Sequence, residues 1–274
     1  MKPVSAVWEK LKKEIGQKDV FLFLDYDGTL TPLKDTPDQA DLSAPVRRAL
    51  RNLSGAPGVR LAIVSGRSLR NVKRKVGIAG IIYAGNHGLE IDAPGFKFQP
   101  PISSGFRAVI RNIRRDLRNK LSGIKGILAE DKGLTLSVHY RLAAKADVTK
   151  MRAAFNKAVK PYLVGKKIKI SRGKKVLEIL PPVEWGKGHA VRWLIRRLGA
   201  GQKNALPIYI GDDVTDEAAF RAIRGQGLAI FVGEPRRSSA RYYLQDHNEV
   251  QDFLEKILGR SYGTTRQGKR GFSF

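Results

Sequence analysis

Five short apolar runs, each bounded by turn-forming residues, alternate along the chain with segments of helical periodicity. The runs are rich in Val, Ile, Leu and Phe and alternate little with polar residues, which is typical of strands covered on both faces. They occupy residues 20–24, 61–64, 81–84, 207–210 and 228–232, with helices predicted over 44–53 and 68–76. This order predicts a mainly parallel sheet with helices on both faces, an α/β core of Rossmann-like class.

The middle of the chain has a different pattern. A helix is predicted over 105–121, and residues 134–140 alternate with period two, as a strand with one open face does. A second helix at about 147–160 and strands near 167–170 and 175–180 follow. We interpret this segment as a smaller α/β domain inserted into the first. Paired prolines at its borders place it at 101–181, so that the core comprises 1–100 and 182–258 and a basic Gly/Arg-rich tail covers 259–274.

The charge of the chain is strongly positive. Its 274 residues include 51 Lys and Arg against 25 Asp and Glu, a formal net charge of +26, and residues 99–181 carry 20 basic and 5 acidic side chains. Such a field attracts polyanions without sequence preference, so non-specific binding of nucleic acid is one expectation. The absence of cysteine excludes disulfides and thiolate chemistry. No apolar run reaches the roughly 18 residues that span a bilayer, and we expect a cytoplasmic protein with no membrane partner and a monomer as the working state.

Four polar stretches follow predicted core strands directly. They are DYDGT (25–29), SGRS (65–68), GNHG (85–88) and GDDVTDE (211–217). Ligands of open α/β sheets bind at the carboxyl ends of the strands, so these stretches should meet at one edge. A fifth stretch, GKGHA (186–190), opens a helix between the inserted domain and the fourth core strand.

The acidic residues of these stretches point to a cation. Asp25 and Asp27 stand one residue apart after a buried strand, and neither carboxylate would be left unpaired in a dry interior. Asp212, Asp213 and Asp216 should reach the same edge of the sheet. Hard oxygen ligands of this kind suit Mg²⁺. The alternative for Asp213 and Asp216 is that they only cap the following helix.

Other residues of these stretches suit an anion. Ser65 and Gly66 open a helix, where backbone N–H groups and a hydroxyl form a cradle for phosphate, and Arg67 is a further candidate contact. Lys187 lies between two glycines and can hold a phosphoryl oxygen beside the acids. His87 and His139 are candidate substrate contacts, with a purely structural role as the alternative for each.

Together these groups suggest phosphoryl transfer. One carboxylate can attack phosphorus and form an aspartyl-phosphate. The other can protonate the leaving oxygen and later deprotonate water. A magnesium ion would neutralise the attacking acid and the phosphoryl group together, which would resolve the repulsion between the two acids.

The motifs resemble those of a known family. DYDGTLTPL is similar to the first motif, DxDGT, of the haloacid dehalogenase (HAD) superfamily, and Ser65, Lys187 and GDDVTDE occur in the order of its second, third and fourth motifs. More narrowly, YAGNHGLEI, EDKGLTLSVHYR, VLEILPP and GDDVTDE resemble the trehalose-6-phosphate phosphatases. The resemblance extends from end to end of the chain.

The resemblance implies a role for each core residue. Asp25 would be the nucleophile and Asp27 the general acid and base. Mg²⁺ would be held by Asp25, the backbone carbonyl of Asp27 and Asp212, while Ser65 and Lys187 would hold the phosphoryl group. Asp216 of the fourth motif joins the catalytic set.

The same resemblance makes the inserted domain a cap that recognises sugar. Lys132 and Glu178 are its best-matched positions, and Asn86, His87 and Gly88 would face it from the core. The expected activity is hydrolysis of trehalose 6-phosphate to trehalose and phosphate.

Three alternatives remain open at this point. Family members commonly carry arginine where this chain has Leu180, so a phosphatase for sucrose phosphate or a glycosyl-phosphoglycerate is the first. A mutase that returns the phosphoryl group to a sugar is the second. The third, suggested by the charge, is a nucleic-acid-binding protein on a phosphatase fold, although the chain shows no nucleic-acid-binding motif.

Overall fold

The computed structural model describes residues 1–199 and 204–259, which form two compact units. The core unit comprises Met1–Gln99 and the described residues from Trp185 onward, and the inserted unit is Pro100–Glu184. The sequence prediction for the inserted domain is 101–181. Beyond Gly259, the predicted tail lies outside the described residues.

Thirteen strands and eight α-helices make up the described chain. The strands are β1 (Lys2–Pro3), β2 (Asp19–Leu24), β3 (Val59–Val64), β4 (Ile82–Gly85), β5 (Glu90–Ala93), β6 (Phe96–Phe98), β7 (Leu128–Asp131), β8 (Leu136–His139), β9 (Lys169–Gly173), β10 (Val176–Leu180), β11 (Ala205–Gly211), β12 (Leu228–Val232) and β13 (Tyr242–Leu244). The helices are α1 (Trp8–Gly16), α2 (Ala44–Gly55), α3 (Leu69–Val76), α4 (Phe106–Leu121), α5 (Lys145–Val164), α6 (Lys187–Arg197), α7 (Glu217–Ala222) and α8 (His247–Leu258).

The core unit is built on one nine-stranded sheet. Its strand order is β1-β13-β12-β11-β2-β3-β4-β5-β6, and all neighbours are parallel except the pairs β4–β5 and β5–β6. The five predicted core strands are β2, β3, β4, β11 and β12. They stand side by side in the order β12-β11-β2-β3-β4, so their carboxyl ends share one edge.

Helices cover both faces of this sheet, as the unalternating apolar strands predict. In β2, Val20, Leu22 and Leu24 pack into one core with apolar side chains of α1, α2, α3 and α8. Phe21 and Phe23 point to the opposite face and pack with α6 and α7. The strand that carries the DYDGT stretch is therefore buried on both sides, which holds its carboxyl end in place.

Two strands that the sequence pattern did not predict extend the sheet beyond β4. β5 and β6 form an antiparallel hairpin around a turn that contains Gly95, whose φ is +81°. The hairpin is short and partly exposed, so its apolar periodicity is weak. Two aromatic rings of β6, Phe96 and Phe98, pack against Trp193 of α6.

The inserted unit packs two helices on a four-stranded antiparallel sheet of order β7-β8-β10-β9. Its apolar core joins the stripe of Ile110, Ile113 and Leu117 on α4 to Met151 and Phe155 on α5 and to the sheet. None of the helices in the described ranges is long and apolar enough to cross a bilayer.

Candidate active site

Lys187 forms an ion pair with Asp25, the first of the two acids that follow β2. Asp25 follows the last residue of β2, and its Oδ1 lies 2.8 Å from the Lys187 Nζ. The same Nζ lies 2.8 Å from Oδ1 of Asp216. All three side chains are buried. Lys187 is the first residue of α6. A cation is unfavourable at a helix N-terminus, so these two carboxylates compensate for its position.

Burial and neighbouring charges shift the pKa values of this cluster. Burial raises the pKa of Asp25 well above its ordinary value, and nearby Asp216 and Asp212 raise it further, although Lys187 acts in the opposite direction. Burial would lower the pKa of Lys187, but Asp216 and Asp25 outweigh it and hold that pKa above the ordinary lysine value. The neighbouring carboxylates thus act in the same direction on both groups, because they favour the protonated form of Asp25 and the charged form of Lys187.

Asp216 is fully engaged by hydrogen-bond donors. Its Oδ1 accepts from the Tyr209 hydroxyl at 2.6 Å and from Lys187, and its Oδ2 accepts from the backbone N–H of Asp213 at 2.9 Å. The last contact belongs to a capping box in which the Asp213 side chain accepts from the backbone N–H of Val214. The capping alternative weighed from the sequence therefore coexists with the ion pair to Lys187.

Tyr209 is a site residue that the sequence analysis missed. It lies within β11, with its ring packed between Phe23 and Phe220 and its hydroxyl on Asp216. Burial and the carboxylates raise its pKa well above the ordinary value, so it stays a donor. The available signal was a tyrosine in an otherwise aliphatic buried strand, because a buried tyrosine hydroxyl usually finds a partner.

Asp212 completes a cluster of acids. Carboxylate oxygens of Asp25, Asp212 and Asp216 all lie within 4.8 Å of one another, and all three residues are buried. Gly28 has a φ of +82°, and a Cβ there would overlap the Asp212 carboxylate, so only glycine allows this approach. When all three acids are ionised, three carboxylates and one ammonium carry a formal charge of −2, and the carboxylate oxygens are ligands that suit a divalent cation such as Mg²⁺.

Asp27, the second strand-end acid, has its own cation. Arg67 Nε donates to its Oδ2 at 2.8 Å and Nη2 to its Oδ1 at 2.7 Å, a bidentate ion pair. The two acids of DYDGT therefore face different cations, Lys187 and Arg67. The sequence analysis predicts that Arg67 contacts substrate. In the structure its guanidinium is engaged by Asp27, and the substrate-binding role stays a prediction.

The turns after β3 and β4 meet beside these acids. Ser65 Oγ accepts from the backbone N–H of Arg67 at 3.1 Å, and the His87 backbone N–H donates to the Ser65 carbonyl at 2.9 Å. The His87 ring lies against Gly66, where an added Cβ would overlap it. Asn86 and His87 have φ values of +50° and +59°, so both adopt the left-handed region that few residues other than glycine occupy.

Two side-chain hydrogen bonds from partly buried groups hold this left-handed turn. Asn86 Nδ2 donates to Glu90 Oε2 at 2.5 Å, and Trp185 Nε1 donates to the carbonyl of Gly88 at 2.6 Å. The structure thus brings six predicted residues (Ser65, Gly66, Arg67, Asn86, His87 and Gly88) into one pair of adjoining turns.

The predicted residues of the inserted unit share one side of its sheet. Glu178 Oε1 accepts from Ser137 Oγ at 2.9 Å and lies 3.2 Å from Lys132 Nζ. His139 Nε2 lies 3.0 Å from Glu130 Oε2. Glu130, Ser137 and Glu178 stand opposite one another across β7, β8 and β10, so their side chains form one polar row. Substrate contact by Lys132, His139 and Glu178 stays a prediction.

Comparison with known proteins identifies relatives along nearly the whole chain. A family model described as trehalose-phosphatase matches residues 23–248. The probable trehalose-phosphate phosphatase 3 of Oryza sativa subsp. japonica is 36% identical over 93% of this chain and 74% of its own length. Trehalose-phosphate phosphatase B of Arabidopsis thaliana is 37% identical over 88% of this chain and 67% of its own.

Solved structures give the same fold. The C-terminal domain of trehalose-6-phosphate phosphatase from C. albicans superposes with a TM-score of 0.79 at 20% identity and covers 92% of this chain and 97% of that one. A haloacid dehalogenase-like hydrolase from Bacteroides thetaiotaomicron has a TM-score of 0.62 at 17% identity over 88% of this chain and 100% of its own. The predicted fold class and the predicted family resemblance are confirmed. The chain belongs to the trehalose-phosphatase family.

Proposed function

We propose that this protein is a Mg²⁺-dependent phosphatase that hydrolyses trehalose 6-phosphate to trehalose and inorganic phosphate. The observation that carries the proposal is the buried Asp25–Lys187–Asp216 cluster with Asp212 beside it, in a chain of the trehalose-phosphatase family. The names of the plant relatives, one of which is trehalose 6-phosphate phosphatase RA3 of Zea mays, support the choice of substrate.

Asp25 is the proposed nucleophile. Its carboxylate attacks phosphorus and the bond to the sugar oxygen breaks, which leaves an aspartyl-phosphate. Asp27 donates a proton to the departing oxygen and then accepts one from the water that attacks phosphorus. Inorganic phosphate leaves and Asp25 is regenerated. Lys187 and the Ser65 turn hold phosphoryl oxygens as charge moves toward them.

Asp25, Asp212 and the backbone carbonyl of Asp27 are the proposed holders of Mg²⁺. Asp216 is less available, because Tyr209, Lys187 and the Asp213 N–H already occupy its oxygens. When bound, the ion supplies a positive charge that lets an anionic nucleophile approach an anionic phosphate.

A phosphate-release screen tests the proposal. Trehalose 6-phosphate, sucrose 6-phosphate, glucose 6-phosphate and p-nitrophenyl phosphate are offered with Mg²⁺, with chelator, and with Mg²⁺ restored, and Asp25→Asn is the control. We expect trehalose 6-phosphate to have the highest kcat/KM, chelation to stop turnover reversibly, and Asp25→Asn to be inactive. A higher kcat/KM for another ester would overturn the assignment of trehalose 6-phosphate as the substrate. An isomerised sugar phosphate among the products would indicate a mutase, and activity in chelator would overturn the Mg²⁺ requirement.

A further inference from the structure

Arg67 joins the proposed general acid to the scaffold of the core unit. Its guanidinium contacts both Asp27 oxygens, at 2.7 and 2.8 Å, while the Arg67 side chain is 5% exposed and that of Asp27 is 37% exposed. A half-exposed aspartate ordinarily samples several rotamers. A planar fork that binds both oxygens restricts the carboxylate to one orientation.

Arg67 is itself held on three further sides. Nη1 donates to Oδ1 of Asn71 at 2.8 Å, Nη2 donates to the carbonyl of Pro37 at 2.6 Å, and the guanidinium lies 5.0 Å from the centroid of the Tyr26 ring. Asn71 belongs to the first turn of α3, and its N–H is in turn capped by the Ser68 hydroxyl. These contacts hold the Arg67 guanidinium in place independently of its contacts with Asp27.

We propose that Arg67 is a positioning residue that orients the Asp27 carboxylate for proton transfer. The inference rests on the proposed function through the role of Asp27. It differs from the expectation that Arg67 contacts substrate, because Nε and Nη2 of Arg67 donate to Asp27 and Nη1 donates to Asn71. Lysine is a poor substitute, since an ammonium is a point charge that cannot bind two oxygens in a plane.

Leaving-group dependence distinguishes positioning from a merely structural brace. Expulsion of a sugar alkoxide requires a proton from a general acid, whereas p-nitrophenolate leaves readily without one. A defect in the orientation of Asp27 should therefore slow the formation of phosphoenzyme from trehalose 6-phosphate far more than from p-nitrophenyl phosphate. A general loosening of the fold should slow both to the same extent.

The experiment is a double-mutant cycle followed by rapid quench with Mg²⁺ present. The enzymes are wild type, Arg67→Lys, Asp27→Asn and the double variant, and the alcohol released in the first turnover is measured for each ester. Arg47→Lys is the matched control, because the Arg47 guanidinium also joins two elements, α2 and the C-terminal end of α3, but does so through the carbonyls of Val76 and Lys75 and not through Asp27.

For Arg67→Lys we expect about a 10- to 100-fold loss with trehalose 6-phosphate, because misorientation of Asp27 removes only part of the roughly 10²–10⁴-fold contribution of general acid catalysis. The loss with p-nitrophenyl phosphate should be at least about tenfold smaller, and in the Asp27→Asn background Arg67→Lys should add less than about threefold. Arg47→Lys should show no preference between the esters. Thermal unfolding checks that each variant is folded. If Arg67→Lys does not fold, Asn71→Ala takes its place, because it removes only one hydrogen bond that holds the Arg67 guanidinium.

The contrary outcomes are separable. Equal losses on both esters, or losses that multiply in the double variant, overturn the positioning role. A leaving-group effect for Asp27→Asn without one for Arg67→Lys overturns that role and leaves the proposed function intact. If Asp27→Asn itself shows no such effect, both the mechanism and the inference fail. If the wild type prefers another alkyl phosphate, the cycle is run on that ester and only the substrate assignment fails.

Discussion

Replacement of Lys187 by methionine tests the electrostatics of the cluster most directly. The ammonium lies 2.8 Å from one oxygen of Asp25 and 2.8 Å from one of Asp216. At an effective dielectric constant near 20, each contact corresponds to about 6 kcal/mol of gross attraction. Several kcal/mol of ammonium desolvation oppose this sum. Removal of the cation therefore costs much less than the gross figure.

The two carboxylates left behind determine the net effect. Their oxygens lie within 4.8 Å, and at that separation and dielectric constant the repulsion is about 3.5 kcal/mol. Loss of one partner from a buried ion pair typically costs about 3–5 kcal/mol, in agreement with this estimate. We expect Lys187→Met to lower the free energy of unfolding by about 3–5 kcal/mol in chelator and to abolish turnover.

Urea unfolding followed by tryptophan fluorescence measures this change. All three tryptophans of the chain belong to the core unit, so the signal reports on the unit that contains the cluster. Lys10→Met, at an exposed position of α1, is the control and should change stability by less than about 0.5 kcal/mol. Adding Asp216→Asn to Lys187→Met should recover about 2 kcal/mol relative to additivity. If Lys187→Met had the same urea midpoint as the wild type and showed no coupling to Asp216→Asn, the proposed electrostatic role of Lys187 would be refuted.

Three further predictions concern other contacts. Tyr209→Phe should lower the free energy of unfolding by about 1.5–3 kcal/mol in the same urea assay, because a hydrogen bond to a charged group is lost inside the core. Glu178→Gln should raise KM for trehalose 6-phosphate by about tenfold or more and change p-nitrophenyl phosphate hydrolysis less, because remote contacts position only the natural substrate; equal changes would indicate a structural role. Asp246→Ala should cost about 1 kcal/mol at pH 7, because Asp246 caps α8. A hydrogen bond from the backbone N–H of Glu249 lowers the pKa of Asp246, so the stabilisation by this cap is present above about pH 4 and is lost as the pH falls through the lowered pKa. Urea midpoints of the wild type and Asp246→Ala at pH 7, 5 and 3.5 should therefore differ less only at pH 3.5.

The fold of the core unit was largely predictable because its strands are buried on both faces. Every residue of β12 is buried, and so is every residue of β2 except the first. Such a strand can be recognised as a short apolar run in the sequence even when the strands beside it are unknown. β1 and β13, at the other edge, have two and three residues, and β5 and β6 are half-exposed. Edge strands of this kind obtain their structure from pairing with an existing sheet, so their own sequences carry little signal.

The chemistry of the site divides in the same way. The sequence by itself determined which residues could act, because Asp25, Ser65 and Asp212 directly follow strands whose carboxyl ends must converge in a parallel sheet, and Asp27 is two residues beyond Asp25. Only the tertiary structure decided the partners. Asp25 is paired with Lys187 and Asp27 with Arg67, although both cations were equally compatible with phosphate binding. The hydrophobic pattern determines where a strand ends, but the pairing of charges depends on distances between side chains from separate elements, which local sequence does not encode.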